Sequence, residues 1–147
     1  MAAFKNVKTK IKEKLDALKT AGTLGAVVVD DFRLDPLGLM KDLPAYPAAI
    51  LGPGSTESVA ETNRENLRTH VFEIVVVLKG ENVTGPYVVE DLAEAILDAF
   101  DNDVTLGSVA VGGVDPATSP VEAISTPEQT FIVFSVTIRA KVLFTQT

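Results

Sequence analysis

Phe131-Ile132-Val133-Phe134-Ser135-Val136-Thr137-Ile138-Arg139-Ala140-Lys141-Val142-Leu143-Phe144 is the stretch on which the fold turns. Ile132, Phe134, Val136, Ile138, Ala140, Val142 and Phe144 occupy every second position, against Ser135, Thr137, Arg139, Lys141 and a lone apolar Leu143. Successive strand side chains point to opposite faces, so this alternation reads as a strand with one buried face. The same pattern runs from Leu67 to Leu78. There His70, Phe72, Ile74, Val76 and Leu78 share one side, with Thr69, Val71, Glu73, Val75 and Val77 on the other. That second side is too apolar to be wholly wet. Two long strands of this kind predict a sheet with a dominant core face.

Working outward, the apolar period changes from two to between three and four. Phe4, Val7, Ile11, Leu15 and Leu18 step at helical spacing with lysines between them, and Gly22 marks the stop. Val88, Val89, Leu92, Ala95, Ile96, Ala99 and Phe100 do the same among Glu90, Asp91, Glu94 and Asp98, the acids beginning where the helix macrodipole favours them. Gly25 to Val29 and Ala48 to Leu51 read as short buried strands, and Val104 to Val111 as a further strand. Residues 33–47, 52–66 and 112–130, where prolines, glycines and polar residues break both periods, read as long loops. Helix, strands, helix, strands is not the regular βαβ alternation of a parallel sheet. The expected class is α+β in one domain, residues 1–147. Its mainly antiparallel sheet of about four to six strands carries two amphipathic helices packed on one face.

The charge of the 147-residue chain narrows its role. The net charge is −7 and the pI near 4.6, which disfavours broad binding of nucleic acid because phosphates need clustered cations. Residues 1–20 nevertheless hold six lysines against Glu13 and Asp16, a local +4 that leaves −11 for the rest. A basic helix on an acidic body suits head-to-tail contact between copies or an acidic partner. A solvated lysine face is the plainer reading. There is no cysteine, hence no disulfide framework, and the longest aliphatic run, Ile74 to Leu78, is far too short to span a bilayer. We read the chain as soluble, made in the cytoplasm and not bound to membrane.

Catalytic and cofactor patterns fail one by one. His70 is the sole histidine, begins a strand pattern and has no G-x-S-x-G serine to serve. One histidine without cysteine cannot build an ordinary zinc site. Gly52-Pro53-Gly54-Ser55-Thr56 lacks the phosphate-loop lysine and reads as a turn, and Gly112-Gly113 reads as hairpin or bulge material. Asp98, Asp101 and Asp103 miss the calcium-loop pattern, with Leu106 and Gly112 at its sixth and twelfth positions, and read as a solvated helix end. Asp30, Asp31, Asp35 and Asp42 read as surface charge, and Asn82-Val83-Thr84 as a chance glycosylation pattern. No catalytic residue, metal or cofactor is expected.

Element order then supplies a resemblance. The helix Phe4 to Leu18, the strand Ala26 to Asp30, Tyr46-Pro47-Ala48 entering a strand before a polar excursion, and the strand His70 to Leu78 come first. The helix Val88 to Phe100 and the strand Phe131 to Phe144 follow. Together they resemble the tail-terminator (tail-completion) family of long-tailed bacteriophages, in length and order rather than in any diagnostic motif. The resemblance implies a structural protein that forms a hexameric ring, caps the tail tube to end its polymerisation and presents the surface that meets the head–tail connector. DNA would pass through the ring without specific recognition, and the protein would sit at the head-proximal end of the tail. Candidate contact charges are Lys5, Lys8, Lys12, Arg33, Lys41, Arg64 and Arg68. Another head–tail joining, head-completion or minor tail role is the neighbouring reading. A small-ligand-binding or regulatory α+β domain is the alternative of a different class.

Overall fold

The computed structural model of the protein describes residues 2–29, 43–60, 65–107, 110 and 112–145. Six strands form one sheet: β1 (Ala26–Val29), β2 (Ala48–Ala60), β3 (Glu65–Lys79), β4 (Gly113–Thr118), β5 (Glu122–Ser125) and β6 (Thr130–Thr145). The spatial order is β1-β2-β3-β6-β4, with β5 also pairing β6. Every pairing is antiparallel except that of β1 with β2. Among the described residues two α-helices, α1 (Ala2–Thr20) and α2 (Val88–Asp101), complete the α+β architecture.

Register explains why the two long alternations form one core. Leu51, Ile74 and Val136 stand in one cross-strand row, and Ala49, Val76 and Phe134 in the next. Both rows face the helices, where Val7, Ile11 and Leu15 of α1 and Leu92, Ile96 and Phe100 of α2 join them in a single buried cluster. On this helix face burial is nearly complete. The opposite, open face is different, because neither helix lies on it and its smaller cluster (Ala26, Leu43, Ala48, Ile50, Val77 and Phe131) is roofed by the segment 43–47. That segment carries a cis Tyr46–Pro47 peptide, and its Pro47 carbonyl accepts from Gly25 N–H at 2.6 Å. The Tyr46 ring lies 6.2 Å from that of Phe131, and the Lys79 ammonium sits 4.7 Å above it.

Gly22 ends α1 as its position suggests. Its φ is +86°, Thr23 N–H reaches the Leu18 carbonyl at 2.9 Å and Gly22 N–H the Lys19 carbonyl at 3.0 Å, the paired bonds of a Schellman cap. Gly112 is required by closeness instead, since a Cβ there would fall 2.8 Å from Cβ of Lys141.

Three local expectations need correction. The stretch 52–60 is the outer half of β2 and not loop: a bulge between Leu51 and Gly54 absorbs Pro53, and pairing with β3 then continues to Ala60. Proline is tolerated because the bulge takes Pro53 out of the ladder with β3, where it has no donor to give. Both faces are exposed here, which removes the apolar alternation that would have announced a strand. The stretch 112–130 likewise contains β4 and β5, both edge strands with mostly exposed side chains. Conversely, residues 104–107 of the supposed strand 104–111 are turns. Leu106, at a strained φ of +48°, and Ala110 are fully buried as plugs of the main core, which is why the composition resembled a strand. Residues 108, 109 and 111 of that expectation lie outside the described residues, as do 33–42 of the first loop.

Candidate functional site

The lysines of α1 divide into two flanks once Val7, Ile11, Leu15 and Leu18 turn inward. On one flank Lys14 pairs with Asp103 at 3.0 Å and Lys10 with Glu13 at 3.2 Å, around a groove of about 220 Å³. Asp103 also accepts from Gly107 N–H at 3.1 Å, and this bond, then Lys14, holds its carboxyl below the usual aspartate value. Asp103 thus locks the turn after α2 to α1. This flank is neutralised within the chain.

The other flank brings together Lys5, Lys8 and Lys12, three of the contact charges named from sequence. They line one groove of about 280 Å³ with Thr9, Val29 of β1 and Leu51 of β2. Lys12 donates to Asp16 at 2.9 Å. Lys5 stands near the positive end of the helix dipole, in a helix with no acid in its first turn, and Lys8 and Lys12 follow on the same flank at i and i+4.

Arg68 lies elsewhere. Its guanidinium stacks 3.7 Å from the centre of the Phe144 ring, at the end of the sheet where β2, β3 and β6 extend past the helices. His70, 3% exposed, is in the same region with Nδ1 2.8 Å from Thr56 Oγ1. Burial, and secondarily the Arg68 charge, push its pKa down, so it is a neutral structural imidazole near pH 7. Arg33, Lys41 and Arg64 lie outside the described residues, as do Asp30, Asp31, Asp35 and Asp42. Asn82, from the glycosylation-like triplet, accepts from Lys79 N–H at 2.9 Å and closes the short 3-10 turn Gly80–Asn82.

The open face supplies residues that the sequence reading did not select. Between β3, β6 and the β4–β5 connection runs a groove of about 270 Å³, floored by Val75 and Val133 and bordered by Glu73 and Glu122. Ser119 sets its wall, exchanging bonds of 2.8 Å with Ser135 through its own N–H and its hydroxyl. Two cations of this face are already engaged by acids, Arg139 by Glu57 at 3.3 Å and Lys141 by Asp115 at 2.9 Å. Farther out, Val59, Leu67 and Leu143 form one cross-strand row, with Val59 60% and Leu143 46% exposed. The available signal was the apolar second side of Leu67 to Leu78, but only register joins it to Glu122.

Among the described residues no three His, Cys, Asp or Glu side chains gather as a metal would require, and no helix is long and apolar enough to cross a membrane. What the arrangement offers is surface: one basic flank, one acid-bordered groove and one exposed apolar row. No protein-family model matches the chain, and no curated protein matches it. Among solved structures the chain is similar to one titled "Virion of native gene transfer agent (GTA) particle", with TM-score 0.55 and 18% identity over 93% of this chain and 94% of that one. At that identity the likeness is one of fold, and it extends over nearly the full length of both chains.

Proposed function

We propose that the chain acts as a single α+β unit in a phage-like virion, as a tail terminator. In this reading it closes into a homohexameric ring on the last tail-tube subunits, ends tube polymerisation and offers its other side to the head–tail connector. The observation that carries the reading is the near full-length fold likeness to a chain of a gene transfer agent virion. The chemistry agrees with it: the distinctive features are charged and apolar surfaces, and assembly by such a ring is steric and electrostatic with no bond made or broken.

Light scattering of the purified protein over a concentration series, with negative-stain images of the same sample, tests the ring. Particles of about six subunits with a central hole are expected. A strict monomer that also leaves the length of polymerising tail tubes unchanged would remove the terminator role. A ring that binds connector but not tube would favour the neighbouring head-completion role.

A further inference from the structure

We propose that two copies of the chain join edge to edge through the outer half of β2, antiparallel about a two-fold axis at Ser58. A two-fold contact differs from the head-to-tail contact that a ring needs, so the inference stands apart from the ring reading.

An unpaired strand edge offers a row of N–H and C=O groups to any other strand, and folds protect such edges by keeping them short or by placing proline or lysine on them. The outermost strands of this sheet are protected in that way, since β1 and β5 have four residues each and β4 carries Pro116. The outer half of β2 is not. β1 pairs no farther than Leu51, and among the described residues no strand pairs with the side of residues 54–60 that faces away from β3. This edge holds no proline, lysine or arginine, and from Ser55 to Ala60 every residue is exposed. Its one charge, Glu57, is engaged within the chain by Arg139 at 3.3 Å.

The residues select the occupant. A lone added strand would only transfer the open edge to itself, whereas β2 paired with β2 closes both edges at once. Directly opposed residues of an antiparallel pair lie on one face, so a two-fold pair sets one residue against its own copy. At Glu57 that would oppose two carboxylates, and at Thr56 it would set Val59 against Pro53, inside the bulge. At Ser58 residues 56–60 pair throughout, Thr56 with Ala60 and Glu57 with Val59. Thr56, Ser58 and Ala60 share one face and are too small to hold two strands apart. On the other face Val59, 60% exposed, ends the row that it forms with Leu67 and Leu143. In this register the Val59 side chains of the two copies become diagonal neighbours, and the two rows merge into one apolar stripe whose burial favours the contact.

The chain has no cysteine, so single thiols in the full chain test this register. Ser58→Cys meets its own copy at about 4.5–5.5 Å between Cα atoms, within disulfide reach. Oxidised with diamide and run on a non-reducing gel, it should give at least about tenfold more covalent dimer than Val121→Cys, an exposed site that reports random collision. Thr56→Cys alone should stay monomeric, and mixed with Ala60→Cys it should cross-link, because those two residues oppose each other. Adding Val59→Glu to Ser58→Cys sets a second carboxylate against Glu57 and should raise the concentration for half cross-linking on the order of tenfold, whereas Val59→Lys should not. Val59 is exposed, so both changes should leave the thermal midpoint nearly unmoved. Ser58→Cys dimers no more abundant than those of Val121→Cys, or equal weakening by Val59→Glu and Val59→Lys, would overturn the contact. Particle mass in reducing buffer reads the ring separately: rings without specific cross-linking overturn this contact alone, and cross-linked pairs without rings support it while removing the ring.

Discussion

The two faces of the sheet are built from the same two strands, yet they do different work. Toward the helices, Phe72, Ile74, Val76 and Leu78 of β3 and Val136, Ile138 and Ala140 of β6 are fully buried. One residue over, Val71, Glu73, Val75, Val133, Ser135 and Thr137 are half-buried or exposed, and neither helix lies on them. A strand alternates its side chains strictly, so a single register fixes both faces at once. The difference teaches that stability is concentrated on one face, which leaves the other free to carry contacts.

The strongest way to break this comparison is to hollow out the helix face. Phe72→Ala removes a fully buried ring from the centre of the main cluster. It should cost about 3–5 kcal/mol, seen as a large fall in the urea midpoint, with assembly lost only because the fold is lost. A cost below about 1 kcal/mol would mean that the helix face is not where the stability lies.

A smaller effect, also on the helix face, comes through pH. His70 is buried beside Arg68 with its pKa held below the ordinary 6.5, so the unfolded chain takes up a proton more readily than the folded one. Its contribution is fully present above pH 6.5 and is lost as pH falls through the lowered value. The urea midpoint should hold steady from pH 8 to 7, decline below 6.5, and show a flatter decline in His70→Gln. Equal slopes in the two proteins would place the sensitivity elsewhere.

The open face should respond in the opposite manner. Val75→Thr with Val133→Thr adds two hydroxyls to the groove floor while keeping its shape. Because both sites are half-buried, monomer stability should change by less than about 1 kcal/mol, whereas assembly should weaken measurably. If stability falls by more than this and assembly is untouched, the groove is core surface and not contact surface.

The alternations of Leu67 to Leu78 and Phe131 to Phe144 made most of this fold legible, because a half-buried long strand and an amphipathic helix each write a period into the chain. The outer half of β2 left no such trace. Its side chains are exposed on both sides and its order comes from backbone pairing with β3, which no side-chain period records. Val104 to Val111 misled for the converse reason, as Leu106 is apolar in order to plug a core from a turn. For the candidate surfaces, the spacing of Lys5, Lys8 and Lys12 was readable as one helix flank. Glu73 and Glu122, by contrast, are brought together only by the register of β3 and β5 across β6.

The smallest effect sharpens the contrast between the flanks of α1. Lys14 and Asp103 pair across half-exposed surface, so the pair adds little to stability and salt screens it. Asp103→Asn should shift the thermal midpoint only slightly at neutral pH, and the shift should shrink in high salt. Because the folded carboxyl titrates below its usual value, its contribution is present above about pH 3.8 and disappears as pH falls through the lowered pKa. The two proteins should therefore converge in acid. Assembly should be unchanged, since Asp103 is engaged by Lys14 within the chain. Loss of assembly in Asp103→Asn at unchanged stability would show instead that this flank takes part in contacts between copies.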